Sequence, residues 1–177
     1  MTDGLMLPPG GGTRIPSAGM TLKIGAERSA TWSMFEAEVA PGFDVGAHRH
    51  AAAEEVFYVL DGELDLLAFE PETMTAGDWR AWTSGDGATV LRGGPGSVMW
   101  VPPGCPHAFA NPLDTPARLL FLVAPSGHED YLAEVGRALA SAGGAPDPAV
   151  IAAVRARHDI EQLTPMRRGP AQISTTA

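Results

Sequence analysis

Between Glu55 and Leu60 the chain alternates in the two-residue period of a strand. Glu55, Phe57 and Val59 fall on one side, and Val56, Tyr58 and Leu60 on the other. Both sides are apolar, so the outer one needs cover from a second sheet, a C-terminal helix or a partner subunit. Looser alternation over Thr21-Leu22-Lys23-Ile24 and Ala30–Val39 predicts two earlier strands. Ser97–Val101 and Leu119–Val123 are near-continuous apolar runs and read as buried strands. The period changes after residue 125. Ser126-Gly127-His128-Glu129 reads as a capping box, followed by a helical stripe of Leu132, Val135 and Leu139 that Gly143-Gly144 ends. Asp147-Pro148 predicts a second helix, with Val150, Ile151 and Val154 as its buried face.

The pattern divides the chain into an N-terminal arm (1–19), a β domain (20–125), a helical extension (126–163) and a polar tail from Thr164 (164–177), which includes Arg167-Arg168. Residues 63–95 form a long connector carrying Trp79 and Trp82 among Gly and polar residues, which reads as a surface excursion. Its two aromatics suit either a lid over a binding site or a packing or interface patch.

Composition sharpens this picture in few places. A chain of 177 residues holds one domain with a real core, and 21 Gly with 16 Pro fit many tight turns. The net charge of −9 argues against nucleic acid as a partner, because phosphates demand Lys and Arg clusters. No apolar run is long enough to span a bilayer, and Met1–Gly19 has no signal-peptide core, so a cytoplasmic protein is expected. Cys105 is the single cysteine and reads as a small turn residue near the candidate site.

That site is carried by four residues. In a strand His48 and His50 point the same way while Arg49 points the other. With Glu55 and the distant His107 they make a mixed N/O donor set, which suits a first-row transition metal and leaves positions for water or substrate. The other two histidines, His128 and His158, fall in the helical extension and read as solvated.

Two segments frame these residues. Gly42, His48, His50, Glu55 and Gly62 in the first, and Gly96, Pro102, Gly104, His107 and Asn111 in the second, fill every specified position of the two cupin motifs. The chain thus resembles the cupin superfamily over about residues 20–125. Glu54 competes with Glu55 for the carboxylate role, but only Glu55 keeps six residues before Gly62, and Glu54 would face away.

The resemblance implies an all-β fold, a single cupin jelly-roll β-barrel with short C-terminal α-helices. It also implies one divalent transition metal ion (Fe, Ni, Mn, Cu or Zn) and, since cupins commonly dimerise, a homodimer. Phe57, Val59, Phe109 and Asn111 are expected to wall a substrate pocket, and no Arg or Lys cluster for a phosphate lies beside either motif. The chain is most similar to quercetin 2,3-dioxygenase-like cupins. That similarity implies a dioxygenase acting on an enolisable or phenolic small molecule. Glu55 is expected to serve as both ligand and base, because a carboxylate on a labile ligand position can accept a substrate proton. Other single-barrel cupins are polyketide cyclases or isomerases, in which the metal is a Lewis acid only, or bind ligands without turnover.

Overall fold

A computed structural model of the protein describes residues 3–142 and 147–167. Its strands are β1 (Thr13–Ile15), β2 (Met20–Ile24), β3 (Ser33–Val39), β4 (His48–Arg49), β5 (Glu54–Asp61), β6 (Leu64–Ala68) and β7 (Pro71–Thr73). They continue as β8 (Thr83–Ser84), β9 (Leu91–Gly93), β10 (Val98–Val101), β11 (His107–Ala110), β12 (Ala117–Ala124) and β13 (Glu161–Gln162). Two helices, α1 (His128–Ala142) and α2 (Pro148–Arg157), stand between β12 and β13. No helix among the described residues is long and apolar enough to cross a membrane.

One sheet runs β1-β2-β3-β12-β5-β10, the other β13-β4-β11-β6-β9, and β7-β8 form a separate ribbon. The expected closed barrel is not formed. Among the described residues no strand pairing joins one sheet to the other, because the margins of the second sheet are strands of two or three residues. The architecture is a jelly-roll sandwich closed by side-chain packing. Phe35, Phe57 and Phe121 from the first sheet meet Leu64, Leu66 and Phe109 from the second. Phe57 stacks on Phe121 with centroids 4.8 Å apart, and Phe35 on Phe121 at 5.4 Å, pairs worth about 0.5–1.5 kcal/mol each beyond their buried area. At Gly62, φ is 73° and an added Cβ would lie 2.8 Å from Ala117 Cβ, so a side chain there would strain the turn and strike β12.

The apolar runs behave differently from expectation. In β10 only Met99 and Val101 are buried, whereas Val98 and Trp100 are 55% and 57% exposed. In β12 Leu119, Phe121 and Val123 are buried, while Leu120 and Leu122 are half-covered. Both strands have only one face toward the sandwich, and neither helix covers the other. With Tyr58 and Leu60, which are also exposed, they leave an apolar outer face on the first sheet. The strands covered on both faces are β11, buried at every position, and β6, inside the supposed connector and buried at all but Ala68. Leu64 and Leu66 face the sandwich. Leu67 faces outward with Ala47, Ala108 and Ala110, under Trp79 and Trp82.

The two tryptophans are therefore core, 1% and 2% exposed, and neither lid nor surface excursion. Trp79 Nε1 donates to Asp44 Oδ1 at 2.9 Å and Trp82 Nε1 to Thr75 O at 3.0 Å, which satisfies the polar edge of each ring.

The termini also depart from expectation. The second half of the arm is structured: β1 pairs with β2, and a 3-10 turn over Pro16–Ala18 follows it. The capping box does not form. Helix α1 begins at His128, and Glu129 is drawn off by long-range partners, accepting from Ala26 N at 2.6 Å and Ser33 Oγ at 2.7 Å. Leu132 is buried as expected. Asp147 caps α2 through Ala149 N at 2.8 Å. Val154 is buried there, but Val150 is exposed, because α2 is a short helix that rests on its neighbours by one narrow side. Thr164 is no free tail residue. Buried, its Oγ1 accepts from Ala47 N at 2.8 Å, and Arg167 exchanges main-chain bonds with Asp44. Gly143-Gly144 and Arg168 lie outside the described residues.

Candidate metal centre

The register of the second sheet sets His48 directly opposite His107, on β4 and β11. Their rings lie 4.1 Å apart, and His50, just past β4, completes a triangle at 5.3 and 5.4 Å. The turn of the second motif fastens the first, since Gly104 N donates to His50 O at 2.6 Å. Glu55 comes from β5 of the facing sheet, inside the sandwich, whereas Glu54 faces outward and takes a hydrogen bond from Trp100 Nε1 at 2.7 Å. The ligand atoms of His48, His50, Glu55 and His107 all lie within 4.8 Å of one another.

Each imidazole is oriented from behind by the main chain. His48 Nδ1 meets Gly46 O at 2.9 Å, His50 Nδ1 meets Asp159 O at 2.9 Å, and His107 Nδ1 meets Cys105 O at 3.1 Å. A carbonyl oxygen can only accept, so each Nδ1 carries the proton and each Nε2 presents a lone pair. Those lone pairs face a carboxylate: His107 Nε2 is 2.8 Å from Glu55 Oε2, and His50 Nε2 is 3.3 Å from Oε1. Neither His50 Nε2, Glu55 Oε2 nor His107 Nε2 has a hydrogen bond of acceptable direction. Three buried acceptors converging on one point repel each other unless a cation sits between them. The residues therefore fit a metal ion.

The electrostatics agree. Burial opposes the charge of Glu55, but His107 and His50, when protonated on Nε2, hold its carboxyl well below the usual range. Burial, reinforced by His107, pushes His48 well below an ordinary imidazole. For His50 burial is outweighed by Glu55, and its pKa is raised. A proton and a metal ion thus compete for the same position.

Beside the cluster lies a cavity of about 410 Å³, walled by Phe43, Phe57, Phe109, Leu119 and Phe121, with His48 and Glu55 in its surface. Of the expected pocket residues, Phe57 and Phe109 line it. Val59 does not: it is buried in the core beyond the cavity. Asn111 does not either. It sits past the end of β11, and its amide donates to Val39 O and Thr115 O at 2.9 and 2.8 Å while accepting from Leu113 N, closing a turn. Cys105 is half-buried in its turn, and burial raises its thiol pKa, the opposite of activation.

The helical extension supplies residues that the sequence reading placed in solvent. His128 lines the cavity, with its ring 6.2 Å from His50 and 5.3 Å from Tyr131, and burial lowers its pKa to about 4. His158 pairs with Glu134 Oε2 at 2.8 Å. Tyr131, Leu132, Val135, Arg155 and Ile160 also line the cavity. Nothing local distinguishes His128 from a solvated helix residue. Only the packing of α1 over the sandwich does.

No curated protein matches the chain in sequence. Solved structures similar to it include TT1209 from Thermus thermophilus, at 24% identity and a TM-score of 0.45 over 63% of this chain and 89% of that one. The DMSP lyase DddQ from Ruegeria pomeroyi is 25% identical, with a TM-score of 0.44 over 59% of this chain and 45% of that one. The polyketide cyclase RemF from Streptomyces resistomycificus is 22% identical, with a TM-score of 0.46 over 60% and 64%. The chain thus spans less than two thirds of the lyase and of the cyclase, and likeness at this level says nothing about chemistry. The family profile described as Cupin matches residues 21–142, a stretch that contains both histidine-bearing turns and most of both sheets. This chain belongs to the cupin family.

Proposed function

We propose that the protein is a metal-dependent enzyme of the dioxygenase type, acting on a small organic molecule with an enolisable or phenolic oxygen. The observation that carries the reading is a cluster of inward-facing, unsatisfied donors set in the wall of an apolar cavity. A divalent transition metal held by His48, His50, Glu55 and His107 would supply a Lewis acid and, as iron, nickel, manganese or copper, a redox partner for O2.

The chain's own residues do the rest. Phe57, Phe109 and Phe121 offer flat apolar walls and exclude water, which favours an aromatic or aliphatic body over a sugar phosphate. The main-chain carbonyls behind the three imidazoles hold the rings in one orientation, so the donor set is arranged before substrate arrives. Glu55 is ionised at neutral pH and borders the cavity, where its carboxylate can take the proton of a substrate hydroxyl.

Glu55→Gln keeps the shape and an oxygen donor but removes the charge. Metal content is expected to be largely retained while turnover falls by on the order of 10^2-fold. Near-normal turnover with metal retained would send the proton elsewhere. Elemental analysis and O2 uptake with enolisable phenols test the redox part. Zinc alone, with no O2 consumed after reconstitution with iron, nickel, manganese and copper, would replace the dioxygenase by a cyclase or isomerase using the same donors. The homodimer that the family resemblance implies is part of the same proposal. Sedimentation at a single monomer mass would remove it.

A further inference from the structure

Four buried side-chain polar atoms among the described residues have no hydrogen-bond partner: His50 Nε2, Glu55 Oε2, His107 Nε2 and Arg155 Nε. A cation answers the first three at once. The fourth asks for the opposite charge.

Arg155 lies on α2 and lines the same cavity as the ligand cluster. Its side chain enters no ion pair or hydrogen bond among the described residues. A guanidinium keeps its charge under all ordinary conditions, so it cannot shed the cost of an unmade buried N–H by losing a proton. The other acidic group of the wall outside the cluster is Glu38, which is exposed and forms no ion pair with Arg155. Two neutral polar side chains share this wall without a hydrogen-bond partner among the described residues: His128, and Tyr131 at 5.3 Å ring separation from it. The cavity thus has a candidate cation-binding cluster, an aromatic waist and a wall from the helical extension bearing a guanidinium without a partner among the described residues.

We propose that Arg155 is a substrate-binding residue and that the substrate is an apolar organic acid whose carboxylate pairs with it. The planar fork of the guanidinium matches a carboxylate in a two-point contact. One cation, with no lysine or second arginine in the wall, suits the single charge of a carboxylate better than a phosphate ester. This inference rests on the metal-enzyme reading for where the reacting end of the substrate lies. The acid group itself is a matter of binding and is testable without turnover.

The test is calorimetric binding of phenylacetate, phenylpropionate and phenylbutyrate, each against its matching alcohol and inorganic phosphate. The titrations are made on wild type, Arg155→Met and Arg155→Lys, with metal content measured in each. Wild type is expected to prefer at least one acid to its alcohol by on the order of tenfold or more. Arg155→Met should erase that preference at unchanged metal content, and Arg155→Lys should restore part of it, which a merely structural role would not do.

Equal binding of acids and alcohols, or no binding of any acid at millimolar concentration, overturns the proposal. So does an acid preference that survives Arg155→Met but vanishes after chelator treatment, because the acid would then be binding the metal. Phosphate binding more tightly than every acid overturns the carboxylate assignment. Arg155-dependent acid binding without metal-dependent turnover would sink the enzyme reading and leave this one standing. Turnover without any acid preference would do the reverse.

Discussion

The second sheet carries a buried polar cluster on each face, and the two are built to opposite rules. Outside, Asp44 takes Trp79 Nε1 at 2.9 Å, Arg80 Nη1 at 2.9 Å and Gly46 N at 2.8 Å. Asp65 takes Arg80 Nε at 3.1 Å and Arg92 Nε at 2.6 Å, and the Arg80 guanidinium lies 4.7 Å from the Trp79 ring centre. Two buried carboxylates face two arginines, and neither carboxylate is left without a partner. Inside, the three histidines are each bonded from behind, and His50 Nε2 and His107 Nε2 stay unsatisfied in front, facing an equally unsatisfied Glu55 Oε2 of the other sheet. A closed network stabilises a fold. An open one, held rigid from its outer side, waits for a partner.

The largest effect that could break this contrast is at His107. His107→Ala should lower metal affinity beyond the roughly 10–100-fold that loss of an orienting partner alone produces. Metal content by mass spectrometry reads it, and wild-type content in the variant would show that the open cluster is not a metal site. Asp44→Ala should do the opposite. It strips a buried partner from Arg80 and Trp79, so the protein should lose about 3 kcal/mol in denaturant unfolding with metal content unchanged. Loss of metal instead of stability would mean that the two faces are coupled.

The pH response separates the faces further through His128. Its folded pKa is about 4 against an ordinary 6.5, so the unfolded chain binds the proton first as pH falls. Stability from this group is present above about pH 6.5 and is lost progressively down to about pH 4, reaching roughly 3 kcal/mol. In metal-free protein, His128→Leu should flatten that part of the stability profile. An unchanged slope would show that His128 reaches water. The smallest effect is at the rim of the closed network. Arg92 is half-exposed, and Asp65 keeps Arg80 without it, so Arg92→Met should cost within about 1 kcal/mol. A larger loss would make Arg92 part of the buried network.

The four candidate metal donors were legible in the chain, because two of them sit two residues apart and all four fall in turn-bounded segments of set spacing. The alternation of Glu55, Phe57 and Val59 likewise identified the inward face of β5. Trp79 and Trp82 were not legible as core, since polar and Gly-rich neighbours surround them in sequence. Their burial comes from the outer face of β4, β11 and β6, which are distant along the chain. Ser97–Val101 misled in the other direction. A one-sided strand and a two-sided one look alike when exposed positions are filled by Val98 and Trp100.

By itself the sequence determined local matters: strand period, the donor set with its spacing, the Asp147 cap, and a composition without the charge for nucleic acid. Only the tertiary structure decided what lies opposite what. It set His48 against His107, turned two lone pairs toward one carboxylate, drew Glu129 away from its helix to Ala26 and Ser33, and brought His128 and Arg155 to the cavity. Period and capping arise from contacts within a few residues, so a short window contains them. Burial and unmet hydrogen bonds depend on groups a hundred residues apart, such as Asp159 behind His50, and exist only once the chain has closed on itself.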